Sequence, residues 1–356
     1  MTFNLSKKIV LWVFAVLLFA LSCGLFFFKD LFLTQEWQKT IPSEMRGVST
    51  NSSEFKIGGI LFLSLTPTKE GASTIYSYNI DTLEFKEEDG LPPGMNYSSA
   101  ISPDGQYIAF GHYDSGGLMQ IYVLNRQTGD VRQLTTEGDK YKRLPAWSPD
   151  GKLVAFVSTN EEKNSPNFPT DIWSVYVVDL EGKTEFITQG YRPLFSPSSD
   201  TMLVLRSDGL RLFSLVKDPK EVYSSELVWG MSGGQAHNNM KLSLSQDKTQ
   251  LAWTNLYTPR IDLFSISSWD PFKMKKTYTI NTFGVWAIFS PDGKFLAIQT
   301  SDEEKREGVP SAAPKIDIYN LETFEHATAL NLQGFDFTNL LLSDWIYNSL
   351  HYKPKS

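Results

Sequence analysis

The 356-residue sequence predicts an all-β fold, a six-bladed β-propeller whose C-terminal strand closes the first blade, preceded by one N-terminal transmembrane helix. Three observations predict it. An apolar residue followed by Ser-Pro-Asp-Gly, or by a worn copy of it, recurs at intervals of 45 to 53 residues. That period suits a four-stranded propeller blade and is too long for leucine-rich or ankyrin units. A short apolar run and then a run with two-residue alternation follow the first five copies, as strands require. The residues left over at the two ends of the array add up to one further blade. Composition agrees: aromatics reach 13%, a level that suits strands, while 41% hydrophobic and 21% charged residues are ordinary for a folded chain. The formal net charge of −7 argues against a nucleic-acid partner, which needs a basic face.

Residues 1–8 read as a cytoplasmic N-terminus and residues 9–28 as the membrane anchor. Ile9 to Phe28 is an unbroken apolar stretch of 20 residues. At about 1.5 Å rise per residue, a helix of that length spans a hydrocarbon core of about 30 Å. Lys7 and Lys8 precede it and Lys29 follows, so the positive-inside rule places the rest of the chain on the extracytoplasmic side, periplasmic or extracellular. Two other fates compete. A cleaved secretory signal has an apolar region of roughly 7–15 residues ending in small residues, whereas this run continues through Leu25, Phe26, Phe27 and Phe28. Ala20-Leu21-Ser22-Cys23-Gly24 resembles a bacterial lipobox, which makes Cys23 a lipidation candidate. It departs from that pattern in having Ala20 where leucine is usual and apolar residues after the cysteine. All three fates deliver the remaining chain to the same side. Cys23 is the one cysteine, so an intrachain disulfide and a cysteine-built zinc site are excluded. Residues 29–57 read as a stalk, interrupted by Pro42 and Gly47, with Trp37 suited to the headgroup level.

Residues 58–356 form the propeller domain. Three copies of the signature are intact: Ile101-Ser102-Pro103-Asp104-Gly105, Trp147-Ser148-Pro149-Asp150-Gly151 and Phe289-Ser290-Pro291-Asp292-Gly293. Two are worn, at Phe195-Ser196-Pro197 and Leu244-Ser245-Gln246-Asp247, and a sixth start is Leu342-Ser343-Asp344-Trp345. In each unit an apolar residue ends the first strand and the signature makes a tight turn. Proline fixes φ, aspartate bonds the backbone and glycine accepts positive φ. A short apolar second strand follows, such as Tyr107-Ile108-Ala109-Phe110, then an alternating third strand, such as Gln120-Ile121-Tyr122-Val123-Leu124. A second turn and a polar edge strand, such as Val131-Arg132-Gln133-Leu134-Thr135, complete the unit. Ser343 opens a unit with only 13 residues left to follow it. Conversely, Ile60 to Leu63, Thr74 to Tyr78 and Glu84 to Lys86 supply three strands without a first. Pairing the strand around Asn339–Trp345 with the one at Ile60 gives six blades and closes the ring.

These residues resemble the TolB-type (WD40-like) propeller repeat: an apolar or aromatic residue, then SPDG, then a short I-A-F strand, then a third strand ending in a D-x-x-G turn. The resemblance covers roughly residues 58–346. It is specific for the fold and weak for function, because such blades occur both in periplasmic scaffold proteins and in the propeller domains of prolyl-oligopeptidase-type hydrolases. No stretch the size of an α/β-hydrolase domain remains here.

Catalytic motifs are sparse. Gly230-Met231-Ser232-Gly233-Gly234, with His237 nearby, matches GxSxG, but a nucleophile elbow needs a strand before the serine and a helix after it. This segment reads instead as an inter-blade loop. Four scattered histidines show no metal spacing, and there is no Walker or calcium loop, so no cofactor is expected. A ligand would go to the central channel, where the first strands line the axis. Four and five residues before the signature serines stand Tyr97, Arg143, Tyr191, Arg192, Lys241, Trp286 and Asn339 among others. Arg143, Arg192 and Lys241 would form a cationic arc with aromatic walls, suited to an anionic or carboxylate-ended ligand such as a peptide tail. Ordinary solvated rim residues are the bland alternative. The expected function is therefore a membrane-tethered module holding a protein or peptide partner. The alternatives are a lactonase- or lyase-like propeller enzyme acting at the channel, or a structural subunit of a larger membrane complex. An enzyme of that kind needs metal ligands converging on the channel, and Asp344 is the one carboxylate among the channel positions.

Overall fold

The computed structural model describes residues 58–66, 72–136, 140–159, 173–206, 209–216, 219–226, 240–255, 260–282, 284–300, 315–331 and 339–346. Residues 9–28 and 29–57, read above as anchor and stalk, lie outside the described residues, as do Cys23 and the GxSxG segment. Among those described, no helix is long and apolar enough to cross a membrane.

The described chain forms 24 strands in six four-stranded antiparallel sheets. The second blade holds β4 (Asn96–Ile101), β5 (Tyr107–Tyr113), β6 (Met119–Asn125) and β7 (Val131–Gln133). The third holds β8 (Tyr141–Trp147), β9 (Leu153–Thr159), β10 (Ser174–Asp179) and β11 (Thr184–Gln189). The fourth holds β12 (Tyr191–Phe195), β13 (Thr201–Arg206), β14 (Gly209–Ser214) and β15 (Lys220–Glu226). The fifth holds β16 (Met240–Leu244), β17 (Gln250–Asn255), β18 (Ile261–Trp269) and β19 (Phe272–Ile280). The sixth holds β20 (Gly284–Phe289), β21 (Phe295–Thr300), β22 (Lys315–Asn320) and β23 (His326–Asn331). The first blade alone is out of sequence order: β24 (Asn339–Ile346) pairs antiparallel with β1 (Ile60–Thr66), followed by β2 (Thr74–Asn79) and β3 (Glu84–Glu87). Leu61 faces Trp345 and Phe62 faces Asp344 across that seam.

The signature turns explain why the repeat reads as it does. Ser102 Oγ donates to Asp104 Oδ1 at 2.6 Å and accepts from Tyr107 N at 2.9 Å. Ser148 with Asp150 and Leu153, Ser245 with Asp247 and Gln250, and Ser290 with Asp292 and Phe295 repeat both bonds. The serine is thus a buried relay that satisfies a strand N–H and fixes the aspartate, which in turn caps the turn backbone. Burial opposes charge on Asp150, but the bonds from Ser148 and Lys152 outweigh it and hold its carboxyl below the ordinary value. Gly105, Gly151 and Gly293 take left-handed φ, and in the worn copies Ser199 and Lys248 take the same conformation in glycine's place. Ser343 differs from the sequence expectation of a turn. It sits inside β24 at a register shift, and its hydroxyl has no partner among the described residues.

The core lies between blades. Apolar clusters join the first and second blades, the second and third, the third and fourth, the fourth and fifth, and the fifth and sixth. Hydrogen bonds cross the same seams. Trp147 Nε1 donates to Ala100 O at 3.1 Å, and Tyr78 Oη donates to Ala329 O at 2.9 Å, joining the first blade to the sixth. Buried Gln299 on the sixth blade grips β24 with both ends of its amide: Nε2 donates to Leu340 O at 2.7 Å, and Oε1 accepts from Leu342 N at 3.1 Å.

Candidate functional site: the axial cavity

The six inner strands β4, β8, β12, β16, β20 and β24 enclose a cavity of about 870 Å³. Its mouth is at the signature turns, where Pro103, Asp104, Gln106 and Asp150 are exposed. Its wall carries the apolar residues that precede the signature serines: Ile101, Trp147, Phe195, Leu244, Phe289 and Leu342. All are buried except Leu244, which is half-buried. Its floor, toward the start of the inner strands, includes buried Ser98, Ser99, Arg192 and Trp286.

A repeated backbone device builds that floor. In β4, β8 and β12 the ladder register slips at the same height, between Tyr97 and Ala100, Arg143 and Ala146, and Tyr191 and Leu194. Ser98, Leu144 and Arg192, each four residues before the signature serine, have φ of 54°, 55° and 57°. A bulge leaves its residues out of the ladder and re-aims them, and all three line the cavity. Pro145 and Pro193 follow two of them; a residue without an N–H is at home where pairing is interrupted. The left-handed backbone is costly for leucine and arginine, by about 1–2 kcal/mol each, so packing holds these residues in place.

The candidate residues do not all stand together. Arg192 is 6% exposed and lies over two rings, its guanidinium carbon 4.3 Å from the centroid of Trp286 and 4.7 Å from that of Tyr191. Lys241 Nζ lies over the same rings, at 5.0 Å and 5.9 Å. The phenols of Tyr191 and Tyr97 are near enough to Arg192 to act on its charge. These five residues therefore form one group. Of the five, Arg192 and Trp286 line the cavity, and Tyr97, Tyr191 and Lys241 are not among its lining residues. Arg143 lies apart from the group, with its guanidinium over Tyr141 at 5.7 Å. Asn339 begins β24 opposite Thr66, and its side chain lies outside the described set. Among the described residues neither Arg192 nor Lys241 has an ion pair, and Arg192 Nε has no hydrogen-bond partner. Burial pushes the Arg192 guanidinium down from its ordinary pKa. Burial, and then the charge of Arg192, push the Lys241 ammonium well below its own.

The mouth carries the opposite charge. Asp344 Oδ2 accepts from Ile101 N at 2.9 Å, joining the closing strand to the second blade. Burial raises its carboxyl to about 6, against the pull of the Ile101 and Trp345 N–H groups and of Lys248. Lys248 is itself lowered by burial, and Asp344 and Asp247 pull it back. Lys248 also lines the cavity, a position that the spacing before the signature serines does not single out. Its signal was its place in the worn copy, where glycine would stand in an intact turn. The hydroxyls of Ser98, Ser99, Ser243 and Ser343 line the cavity without hydrogen-bond partners among the described residues, a polar lining that the residue types alone did not announce. No group of three or more His, Cys, Asp or Glu side chains able to hold a metal ion occurs among the described residues.

No family model matches the chain. It is 27% identical over 201 residues to the uncharacterized peptidase YuxL of Bacillus subtilis, covering 53% of this chain and 27% of that protein. It is 27% identical over 140 residues to dipeptidyl-peptidase 5 of Porphyromonas gingivalis, covering 38% of this chain and 19% of that protein. The chain thus spans about a quarter or less of the curated relatives it matches. Among solved structures, TolB from Acinetobacter baumannii superposes with a TM-score of 0.54 at 16% identity, covering 80% of this chain and 66% of that one. The periplasmic gluconolactonase PpgL of Pseudomonas aeruginosa gives 0.51 at 14% identity, covering 80% and 85%. At such identities these likenesses speak to the fold, and the fold is a TolB-like six-bladed β-propeller.

Proposed function

We propose that this chain is a binding module, tethered by residues 9–28 with its propeller on the extracytoplasmic side, and that it holds a protein or peptide partner in the axial cavity. One observation carries the reading. The ring encloses a cavity of about 870 Å³ with an exposed mouth, an apolar wall and a floor of polar groups without hydrogen-bond partners among the described residues. That combination of apolar surface and a few fixed polar groups is what ligand sites use for affinity and orientation. The likeness to TolB supports the scaffold and leaves the partner open. The anchor favours a partner at or near the membrane, and the acidic net charge disfavours nucleic acid.

The test is site-specific photocrosslinking in membranes of producing cells. A photoreactive residue at Gln106, on the mouth, is compared with one at Val222, on the outer edge of the fourth blade. The reading predicts a discrete adduct from position 106 that is absent from 222. It also predicts loss of that adduct when the cavity is filled by Ala146→Trp or, separately, by Leu341→Trp. The same adducts at both positions, or adducts that survive both filling variants, would overturn it.

A further inference from the structure

We infer that the floor of the axial cavity is a receptor for a terminal carboxylate, held by Arg192 with Lys241 behind it and reached from the Ser-Pro-Asp-Gly mouth. This deepens the binding reading above and rests on it.

The argument starts from an imbalance of charge. A buried cation ordinarily has an acid beside it, because removing it from water costs several kcal/mol. Here two basic side chains meet over the same pair of aromatic rings with no acid among the described residues to offset them. Cation–π contact recovers part of that cost at a desolvated site and leaves the rest standing. Arg192 also has a backbone in the left-handed region, which adds strain where almost any other conformation would be easier. Both costs fall on the one bulge that brings a guanidinium to the cavity floor, and an anion there relieves the larger of them.

The guanidinium selects the anion. Arg192 keeps its charge throughout the physiological range, and a planar carboxylate fits its fork. One negative charge answers that of Arg192, the basic residue on the cavity floor. Burial and the charge of Arg192 both push the Lys241 ammonium below its ordinary pKa, and an anion beside it favours its charged form.

The depth of the cavity selects how the carboxylate arrives. Four residues of strand separate Arg192 from Ser196 at the turn, about 13 Å at roughly 3.3 Å per residue. An extended peptide end of about four residues spans that distance. Its backbone would pass the apolar wall and the open hydroxyls of Ser99, Ser243 and Ser343, which can pair with peptide N–H and C=O groups.

The experiment is calorimetric titration of the full chain in detergent with an N-acetylated tetrapeptide bearing a free C-terminus, with its C-terminal amide, with acetate and with inorganic phosphate. The free acid is expected to bind at least tenfold more tightly than the amide, acetate to compete weakly, and phosphate to bind no better than acetate. Arg192→Asn is expected to remove the preference for acid over amide, since asparagine tolerates the left-handed backbone and so keeps the bulge. Arg192→Lys keeps a charge without the fork and retains part of the preference. Lys241→Met, which removes the second positive charge over the same rings, is expected to reduce the preference for acid over amide without abolishing it. Equal affinity for acid and amide, an unchanged preference in Arg192→Asn, phosphate binding above the peptide acid, or no binding of any probe at millimolar concentration would each overturn the inference. Should the mouth crosslink be lost in the filling variants yet persist in Arg192→Asn together with Lys241→Met, the cavity binds its partner without a carboxylate receptor. In that case the inference fails and the function stands.

Discussion

Asp344 shows how a single side chain can serve closure and the cavity together. Its carboxylate bonds the Ile101 N–H of the next blade, yet burial holds its pKa at about 6, above the ordinary 3.8. Between those values the folded chain keeps a proton that the unfolded chain has lost. Stability therefore falls as pH rises from about 4 through about 6, and the deficit is complete above about 7. Asp344→Asn keeps an oxygen for the Ile101 N–H and removes the titration. We predict a stability gain of about 1–2 kcal/mol at pH 8, somewhat below the full conversion of the shift because the mouth is open to water, and little change at pH 4. Chemical denaturation of the two proteins at both pH values checks this; a variant less stable than the parent at pH 8 would contradict it. The same scale marks what the sequence could disclose. The signature serines and aspartates were legible because their chemistry is local, a hydroxyl and a carboxylate closing a turn within five residues. The grouping of Arg192 with Lys241, and the exclusion of Arg143 from it, were not, because a one-residue slip of register decides which of two neighbouring side chains meets the axis.

At the scale of the strand, that slip is the bulge repeated in β4, β8 and β12. Pro145 and Pro193 were its trace in the sequence, two prolines inside segments that otherwise read as inner strands, where an unbroken ladder has no place for them. Ser99 in β4 gives no such sign, so the third member of the set could only be seen in three dimensions. The strands themselves were readable from alternation, including the first-blade strands β1 to β3 with their missing partner. How β24 is held was not readable, because Gln299 lies 41 and 43 residues from the backbone groups it bonds. This grip makes a prediction about the element. Gln299→Met has similar length and no amide, leaving the Leu340 carbonyl and the Leu342 N–H buried and unpaired. We predict a loss of about 2 kcal/mol, with amide exchange accelerated in β24 more than in β9 or β13. Uniform acceleration across all blades would show that the contact contributes to global stability rather than to the seam.

For the whole propeller domain, every functional statement depends on the ring being shut by its own tail. An array of five complete blades with three loose strands at one end and one at the other would leave two blade faces uncovered and no enclosed axis. The cavity, the mouth at the signature turns and the floor at the bulges exist because β24 stands as the sixth inner strand beside β1. Closure also brings Asp344 to Ile101 and Tyr78 to Ala329, contacts between residues more than 240 positions apart. The most direct measurement is a disulfide across that seam. Ser64 and Leu341 face each other in the β1–β24 register, and antiparallel partners stand about 4.5–5.5 Å apart at Cα, within the reach of a disulfide. With Cys23 replaced by serine, Ser64→Cys together with Leu341→Cys should oxidise to an intramolecular crosslink in the native chain, raise its melting temperature, and leave no free thiol. Persistent free thiols under mild oxidation, or crosslinks only between molecules, would contradict the closed ring.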